Sequence, residues 1–187
     1  MKLYMIRHGE SETNKIGCYT GWAQVSLTEK GFFDAKKVTP ILEGIAFDKI
    51  YSSDLIRAIQ TLETALPGAE YETTPLIREI NVGELERQPG YLLTDEMREL
   101  VSHRGFVDYK GENREEFNGR VKEFMKMLEN SGYDNVAAFS HAGVLRRILD
   151  EVVGMVLPRS KIKCSNCTVA VFEFAKDNWS LESWINI

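Results

Sequence analysis

A short, almost wholly apolar run at residues 3–6 ends directly in Arg7-His8-Gly9, and this junction restricts the fold more than any other feature. Such a run is typical of a strand buried on both faces of a parallel sheet. The carboxyl end of such a strand points into the crevice where open α/β sheets bind ligands. The sequence therefore predicts that Arg7 and His8 lie in a ligand-binding crevice. The alternative is a surface turn with a buried pair between Arg7 and Glu10 and a hydrogen-bonded His8.

The rest of the chain alternates strand and helix patterns, which predicts an α/β fold. We expect a single three-layer domain over residues 1–187, with a mainly parallel sheet flanked by helices and a small helical lid insertion at about 84–115. Pro40 should kink or end the first long helix, and the Ser-Ser-Asp run at 52–54 should cap the next. Predicted strands cover 3–6, 47–52, 71–74, 135–139, 169–174 and 179–185, and predicted helices cover 28–43, 55–66, 91–104, 112–130 and 144–153.

The overall charge argues against two classes of partner. A net charge of −5 is unfavourable for binding nucleic acid or a membrane surface, so any phosphate site must be a local positive pocket. The chain has no apolar run of membrane-spanning length and no signal-peptide pattern at its N-terminus. We therefore expect a cytoplasmic protein whose partner is a small molecule.

The cysteines do not indicate a disulfide framework or a metal site. Three cysteines in a chain without a signal pattern are unlike the even sets of secreted domains. Cys164 and Cys167 have CxxC spacing, but no second Cys/His pair completes a zinc site. They also precede a strand pattern, whereas a thioredoxin-like motif opens a helix. We interpret them as two small residues at the start of a strand.

Two histidines and two arginines converge on the same predicted sheet edge. His8 follows the first strand, and His141 follows the buried run at 135–139. Arg57 lies in the first turn of the helix after the second strand, and a helix N-terminus itself attracts anions. Unpaired cations are costly to bury, whereas a tetrahedral phosphoryl group between them would offset that cost. Taken singly, Arg57 could instead be an exposed helix residue, and His141 a helix cap.

Four motifs, in order, resemble those of one family. The segments are RHGESETN continuing through YTGWAQVSLTEKG, then YSSDLIRAIQT, REINVGELE and FSHAGVLR. Together they resemble the histidine phosphatase superfamily, which contains cofactor-dependent phosphoglycerate mutases and many small phosphatases. The chain departs from the family pattern at Gln24, Arg87 and Ala142, where Asp, Gly and Gly are common. None of these departures removes a group that the resemblance makes catalytic.

The resemblance implies a role for each matching residue. His8 would be the nucleophile that forms a phosphohistidine, and Arg7, Arg57 and His141 would hold the phosphoryl oxygens. Glu79 would protonate the leaving oxygen and then activate water, although a surface carboxylate on a turn is its simpler interpretation. Such chemistry needs positioning and charge stabilisation, so we expect no metal and no cofactor. The residues implied to line the substrate side are Asn14, Thr20 and Gly21.

Hydrolysis is the favoured reaction, and two alternatives stay open. The mutases that the chain resembles carry a C-terminal tail and a basic pair after the Glu79 motif, where this chain ends at Ile187 and has Ile80-Asn81. These differences favour a phosphatase similar to broad-specificity or α-ribazole phosphatases. Phosphoglycerate mutase-type transfer and a non-catalytic phosphate-binding role are the alternatives. A nucleotide-binding protein is disfavoured because the chain lacks a Gly-rich phosphate loop.

The predicted lid contains a group of apolar residues whose side chains suit either a substrate rim or the core. For the two leucines the core is the preferred interpretation. The residues are Tyr91, Leu92, Leu93, Phe106 and Tyr109.

Overall fold

A computed structural model describes residues 1–158 and 160–187. Within these residues one six-stranded sheet has the order β3-β2-β4-β1-β5-β6. Neighbours from β3 to β1 pair in parallel, and β5 runs antiparallel to both β1 and β6. The predicted mainly parallel sheet is confirmed. The strands are β1 Lys2–Arg7, β2 Lys49–Ser53, β3 Glu72–Thr74, β4 Asn135–Ser140, β5 Val169–Ala175 and β6 Asn178–Ile185.

Helices cover both faces of the sheet, because β1 has apolar side chains on each of its two faces. Leu3 and Met5 join one buried cluster with Phe124, on α6, whereas Ile6 joins a second cluster with Leu62, on α4. This is the three-layer arrangement expected when alternate strand residues point to opposite faces. The helices are α1 Glu12–Lys15, α2 Glu29–Lys36, α3 Thr39–Leu42, α4 Ile56–Ala65, α5 Asp95–Arg104, α6 Arg114–Glu129 and α7 Ala142–Val153.

The structure corrects the predicted start of α4. The cap residue is Leu55, which makes no side-chain cap bond, so the predicted cap at Ser52, Ser53 or Asp54 is wrong. The Oε1 atom of Gln24 instead accepts a hydrogen bond from the N–H of Ile56 at 2.9 Å. A side chain from a distant loop therefore caps the helix that carries Arg57.

The first predicted long helix is two helices. A turn after Lys36 separates α2 from α3, and Pro40 lies in the first turn of α3, where its missing N–H costs nothing. The predicted helix is therefore interrupted, but the break lies before Pro40, which neither kinks nor ends a helix. The short helix α1, with a capping box between Ser11 and Asn14, lies in a segment predicted as loop.

Residues 84–115, the predicted lid insertion, contain α5 and several 3₁₀ turns. The predicted helix from Tyr91 is shorter, because Thr94 caps α5 and the preceding residues form a 3₁₀ turn. Leu93 and Phe106 are buried, whereas Tyr91 and Leu92 are exposed. The assignment of this segment as a lid stays a prediction. No helix in the described ranges is long and apolar enough to cross a membrane.

Strand register brings the two predicted catalytic histidines together. In the parallel β1–β4 pair, Arg7 lies opposite Ser140, so His8 and His141 follow neighbouring strand ends. The N–H of His8 donates to the carbonyl of Ser140 at 2.9 Å. The sheet therefore fixes the distance between these residues through backbone pairing.

Candidate active site

His8 is held as a neutral imidazole with a defined tautomer. Its Nδ1 lies 2.7 Å from the carbonyl oxygen of Gly9, which can only accept, so Nδ1 carries the proton. Nε2 therefore keeps its lone pair, and it accepts a bond from Nε of Arg57 at 3.3 Å. Burial, followed by the charges of Arg57 and Arg7, lowers the pKa of His8 well below its ordinary value. The Nε2 atom is thus available as a nucleophile at neutral pH.

Arg57 is completely buried and is fixed by the backbone of the loop beside it. Its Nη2 donates to the carbonyl of Gly21 at 2.8 Å, and its Nη1 donates to the carbonyl of Ala23 at 3.1 Å. Burial, aided by the charge of Arg7, lowers the pKa of Arg57 to about 10. The guanidinium therefore remains charged at neutral pH and directs its Nε toward His8.

Arg7 is the second cation at this end of the site. Its Nη1 donates to the carbonyl of Cys164 at 2.5 Å, while its Nε is buried without a hydrogen-bond partner in the described chain. Burial lowers the pKa of Arg7. The backbone of Cys164 therefore positions Arg7. Burial also raises the pKa of the Cys164 thiol and raises the pKa of the Cys167 thiol to about 12. Both cysteines are free thiols.

His141 follows β4 and precedes the first turn of α7. Its Nε2 lies 2.9 Å from Oγ of Ser53, and its ring centroid lies 5.2 Å from that of His8. Burial, followed by the charges of Arg57 and His8, lowers the pKa of His141 well below its ordinary value. Its Nδ1 is buried and has no partner among the residues described. His141 is therefore a neutral, fully buried neighbour of the nucleophile.

Two backbone N–H groups hold the carboxylate of Glu79, and one of them lies at the start of α7. Its Oε2 accepts the N–H of Gly143 at 3.1 Å, and its Oε1 accepts the N–H of Ile80 at 2.9 Å. A Cβ atom on Gly143 would lie 2.0 Å from Oε1 of Glu79, so a larger residue there would displace the Glu79 carboxylate. The carbonyl of Glu79 also accepts bonds from Nε1 of Trp22 and Nη2 of Arg120. Hydrogen bonds thus fix both the side-chain carboxylate and the backbone carbonyl of Glu79.

The predicted substrate-side residues lie on the same cavity. Asn14 uses its Oδ1 to accept from Nδ2 of Asn166 at 3.1 Å, and Thr20 shares a 2.6 Å hydrogen bond with Thr13. Gly21 has φ 51°, a region that favours glycine, and its carbonyl holds Arg57. The structure therefore brings all three together, although their roles toward a substrate stay predictions.

One cavity of about 710 Å³ joins most of these groups. It is lined by Arg7, His8, Arg57 and Glu79, whereas His141 is not part of its lining. Among the residues that the structure describes, five arginines and two carboxylates line its walls, which makes a positive pocket in an acidic protein. Further lining residues are Asn14, Tyr19, Thr20, Gly21, His103, Phe106, Arg114, Asn118, Gly143, Arg146, Arg147, Asp150, Val156, Leu157 and Pro158.

Sequence reasoning missed three supporting side chains. Arg120 donates to the carbonyls of Leu76, Arg78 and Glu79 and pairs with the half-buried Glu112. Ser53 contacts His141, and Arg146 lies one turn into α7. Of these three, only Arg146 could have been found from the sequence, because it lies four residues after Ala142 and therefore on the same face of the predicted helix.

Comparisons with known proteins identify the family. Residues 3–187 match the model of the histidine phosphatase superfamily, branch 1. The chain belongs to this superfamily. It is 32% identical over 163 residues to the adenosylcobalamin/alpha-ribazole phosphatase of Salmonella typhimurium, which covers 83% of this chain and 81% of that protein.

Solved structures of the superfamily share the whole fold. The alpha-ribazole phosphatase of Shigella flexneri has a TM-score of 0.81 and 27% identity, covering 97% of this chain and 95% of the other. A phosphoglycerate mutase from Thermus thermophilus has a TM-score of 0.80 and 28% identity, covering 100% and 99%. These findings confirm the predicted fold and the enzyme class, a histidine phosphatase. The roles of the individual site residues stay predictions.

Proposed function

We propose that the protein hydrolyses phosphate monoesters of small metabolites through a phosphohistidine formed at Nε2 of His8. The observation that carries this proposal is the fixed tautomer of His8. Because Nδ1 donates to Gly9, the nucleophilic lone pair lies on Nε2, beside the buried guanidinium of Arg57. Nucleophilic catalysis divides one difficult displacement into two easier steps.

In the first step, the Nε2 lone pair attacks phosphorus and the ester P–O bond breaks. Glu79 gives a proton to the departing alkoxide, so the alcohol leaves neutral. Arg7 and Arg57, which hydrogen bonds to backbone carbonyls hold in place, stabilise the charge on the equatorial oxygens. His141, whose ring centroid lies 5.2 Å from that of His8, helps to fix the position of the nucleophile from behind the cavity lining.

In the second step, water attacks the phosphohistidine and the P–N bond breaks. The carboxylate of Glu79 takes a proton from the water, and inorganic phosphate leaves. His8 returns to its neutral form and Glu79 to its protonated form, so the site is ready for another cycle. No step requires a metal ion or an organic cofactor.

The proposed substrate is a small phosphorylated metabolite in the cytoplasm, with no nucleic-acid or membrane partner. The relative from Salmonella typhimurium is named for adenosylcobalamin/alpha-ribazole phosphatase activity, which supports ribazole-type phosphates as first candidates. The mutase from Thermus thermophilus supports the second candidate, phosphoryl transfer between two positions of a phosphoglycerate.

The experiment compares wild type with His8→Ala on p-nitrophenyl phosphate in EDTA. We expect a loss of at least about 10⁴-fold in kcat, because the nucleophile is removed. Thermal unfolding of both proteins controls for folding. Equal activity in both proteins would exclude the mechanism. Product analysis with 3-phosphoglycerate and a bisphosphoglycerate donor then separates hydrolysis, which releases phosphate, from mutase transfer, which releases 2-phosphoglycerate. No turnover, with no acid-labile phosphoenzyme, would favour a phosphate-binding role.

A further inference from the structure

Thr61, on α4, joins the backbone beside the nucleophile to the helix that carries Arg57. Its Oγ1 accepts a hydrogen bond from the N–H of Gly9 at 3.0 Å and donates to the carbonyl of Arg57 at 2.6 Å. The direction of both bonds follows from chemistry, because an amide N–H can only donate and a carbonyl can only accept. The Thr61 side chain is completely buried, so both bonds form away from solvent.

The bond from the Gly9 N–H completes the fixation of the peptide unit that follows His8. At the other end of this unit, the carbonyl of His8 accepts bonds from the N–H of Cys167 and from Nδ2 of Asn166, each at 3.2 Å. Gly9 has no side chain to fix it, and a Cβ atom there would lie 2.6 Å from the carbonyl oxygen of Gly31. The orientation of this peptide unit therefore depends on the hydrogen bonds at its two ends.

Four residues form a closed ring of hydrogen bonds around the nucleophile. The carbonyl of Gly9 accepts from Nδ1 of His8 at 2.7 Å, and Nε2 of His8 accepts from Nε of Arg57 at 3.3 Å. The carbonyl of Arg57 accepts from Thr61, whose hydroxyl accepts in turn from the N–H of Gly9. All four residues are buried, so the loss of one partner leaves the other with its desolvation penalty.

We propose that Thr61 is a positioning residue for the nucleophile. Through the N–H of Gly9, its hydroxyl keeps the Gly9 carbonyl on Nδ1 of His8 and so keeps the reactive lone pair on Nε2. The inference rests on the proposed phosphatase function and adds to it a residue that lies outside the cavity lining. Without this hydroxyl the lone pair is misplaced relative to phosphorus, and a misplacement of about 1 Å can lower a rate by about 10²-fold.

The test compares substitutions that differ by a single group. Thr61→Val keeps the shape of the side chain and removes the hydroxyl, whereas Thr61→Ser keeps the hydroxyl and removes a methyl group. Should Thr61→Val fail to fold, Thr61→Ala compared with Thr61→Ser gives a second pair that differs only in the hydroxyl.

Thr64→Val is the matched control on the same helix. Oγ1 of Thr64 donates to the carbonyl of Gln60 at 2.6 Å, the same bond along the helix that Thr61 makes to Arg57. The control therefore removes an equal helix bond and leaves the bond to Gly9 in place. Thermal unfolding of every variant shows that it is folded at the assay temperature.

For Thr61→Val we expect kcat/KM to fall by about 10- to 100-fold on p-nitrophenyl phosphate and by a similar factor on an alkyl phosphate. The two losses should agree because the same nucleophile attacks both esters. Thr61→Ser and Thr64→Val should retain kcat/KM within about threefold of wild type.

The tautomer of His8 is a readout that a merely structural role would not move. The chain has three histidines, so the ring ¹⁵N signals of His8 are assigned as those that His8→Gln removes. In wild type at neutral pH, we expect the proton on Nδ1 only. In Thr61→Val a second population with the proton on Nε2 should appear, whereas Thr64→Val should match wild type.

Three results would overturn the proposal. The first is wild-type kcat/KM in Thr61→Val, and the second is an equal loss in Thr61→Ser, which would assign the effect to packing of the methyl group. The third is a loss of activity in Thr61→Val with the tautomer of His8 unchanged. Failure of the phosphatase function is distinguishable, because wild type would then hydrolyse neither ester while the tautomer measurement would still test Thr61.

Discussion

The inner end of the cavity and its outer wall are built in opposite ways. At the inner end, Arg57 and His141 are completely buried and His8 is 4% exposed. Away from these groups, Tyr91 in the 84–115 segment and Val156, which lines the cavity after α7, are 80% and 78% exposed. The inner groups follow sheet strands or begin helices, whereas the outer ones lie in 3₁₀ turns or after the end of α7.

This difference separates chemistry from selectivity. The inner groups are fixed by hydrogen bonds to the backbone, such as those from the Arg57 guanidinium to the loop carbonyls of Gly21 and Ala23. The outer residues are packed lightly, so they can change with little cost in stability. We therefore expect inner substitutions to affect kcat strongly and outer substitutions to affect mainly the choice of substrate.

After His8→Ala, the largest effect should come from Glu79→Gln, and it should depend on the leaving group. An amide cannot protonate the departing oxygen, so kcat/KM for an alkyl phosphate should fall by about 10³-fold or more. For p-nitrophenyl phosphate, whose leaving group is already stable as an anion, kcat/KM should fall by less than about tenfold, because this ratio reports only the steps up to formation of the phosphoenzyme. The kcat values for both esters should fall, because the amide cannot activate water in the second step. Equal losses of kcat/KM on the two esters would remove Glu79 from the role of general acid.

Arg57→Lys should reduce kcat/KM by about 10²- to 10³-fold. A lysine ammonium cannot reach the carbonyls of Gly21 and Ala23 and also face His8, because it lacks the planar fork. The measurement is turnover of p-nitrophenyl phosphate, with Lys126→Gln as a surface control. A variant with more than a tenth of wild-type activity would contradict the division between inner and outer regions.

The buried histidines should make the fold sensitive to acid. Burial and nearby arginines hold the pKa values of His8 and His141 below 6.5, so the unfolded chain binds more protons as pH falls below 6.5. Above pH 6.5 these histidines are neutral in both the folded and the unfolded chain, so the free energy of unfolding does not depend on them. Below pH 6.5 it falls by about 1.4 kcal/mol per pH unit for each histidine.

Urea unfolding at pH 7, 6 and 5 measures this slope. The double variant His8→Gln and His141→Gln should flatten it by about 2.7 kcal/mol per pH unit, the sum for two groups. An unchanged slope in the double variant would show that other groups cause the acid sensitivity.

The smallest effect should come from Tyr91→Ala at the outer surface. Because this side chain is exposed, the free energy of unfolding should change by no more than about 0.5 kcal/mol. Turnover of p-nitrophenyl phosphate should remain within about twofold of wild type, as judged by steady-state kinetics beside urea unfolding. A loss of kcat larger than tenfold would mean that the predicted lid acts in the chemical step.

The sequence was sufficient for the inner end because local patterns identify it. Apolar strands mark where His8 and His141 must emerge, and parallel pairing then brings them together. The bonds of Arg120 to the carbonyls of Leu76, Arg78 and Glu79 were not predictable, since they join segments more than 40 residues apart. The predicted cap of α4 was wrong for the same reason, because Gln24 supplies the cap from a distant loop.

The register of β1 against β4 sets the distance between His8 and His141. Arg7 opposite Ser140 is one register among several that would keep apolar side chains on their proper faces. A slip of two residues preserves those faces but moves one histidine by about 6.6 Å relative to the other. A misregistered chain could thus be compact and helical yet inactive. Recovery of enzymatic turnover during refolding therefore reports the moment at which these two strands align.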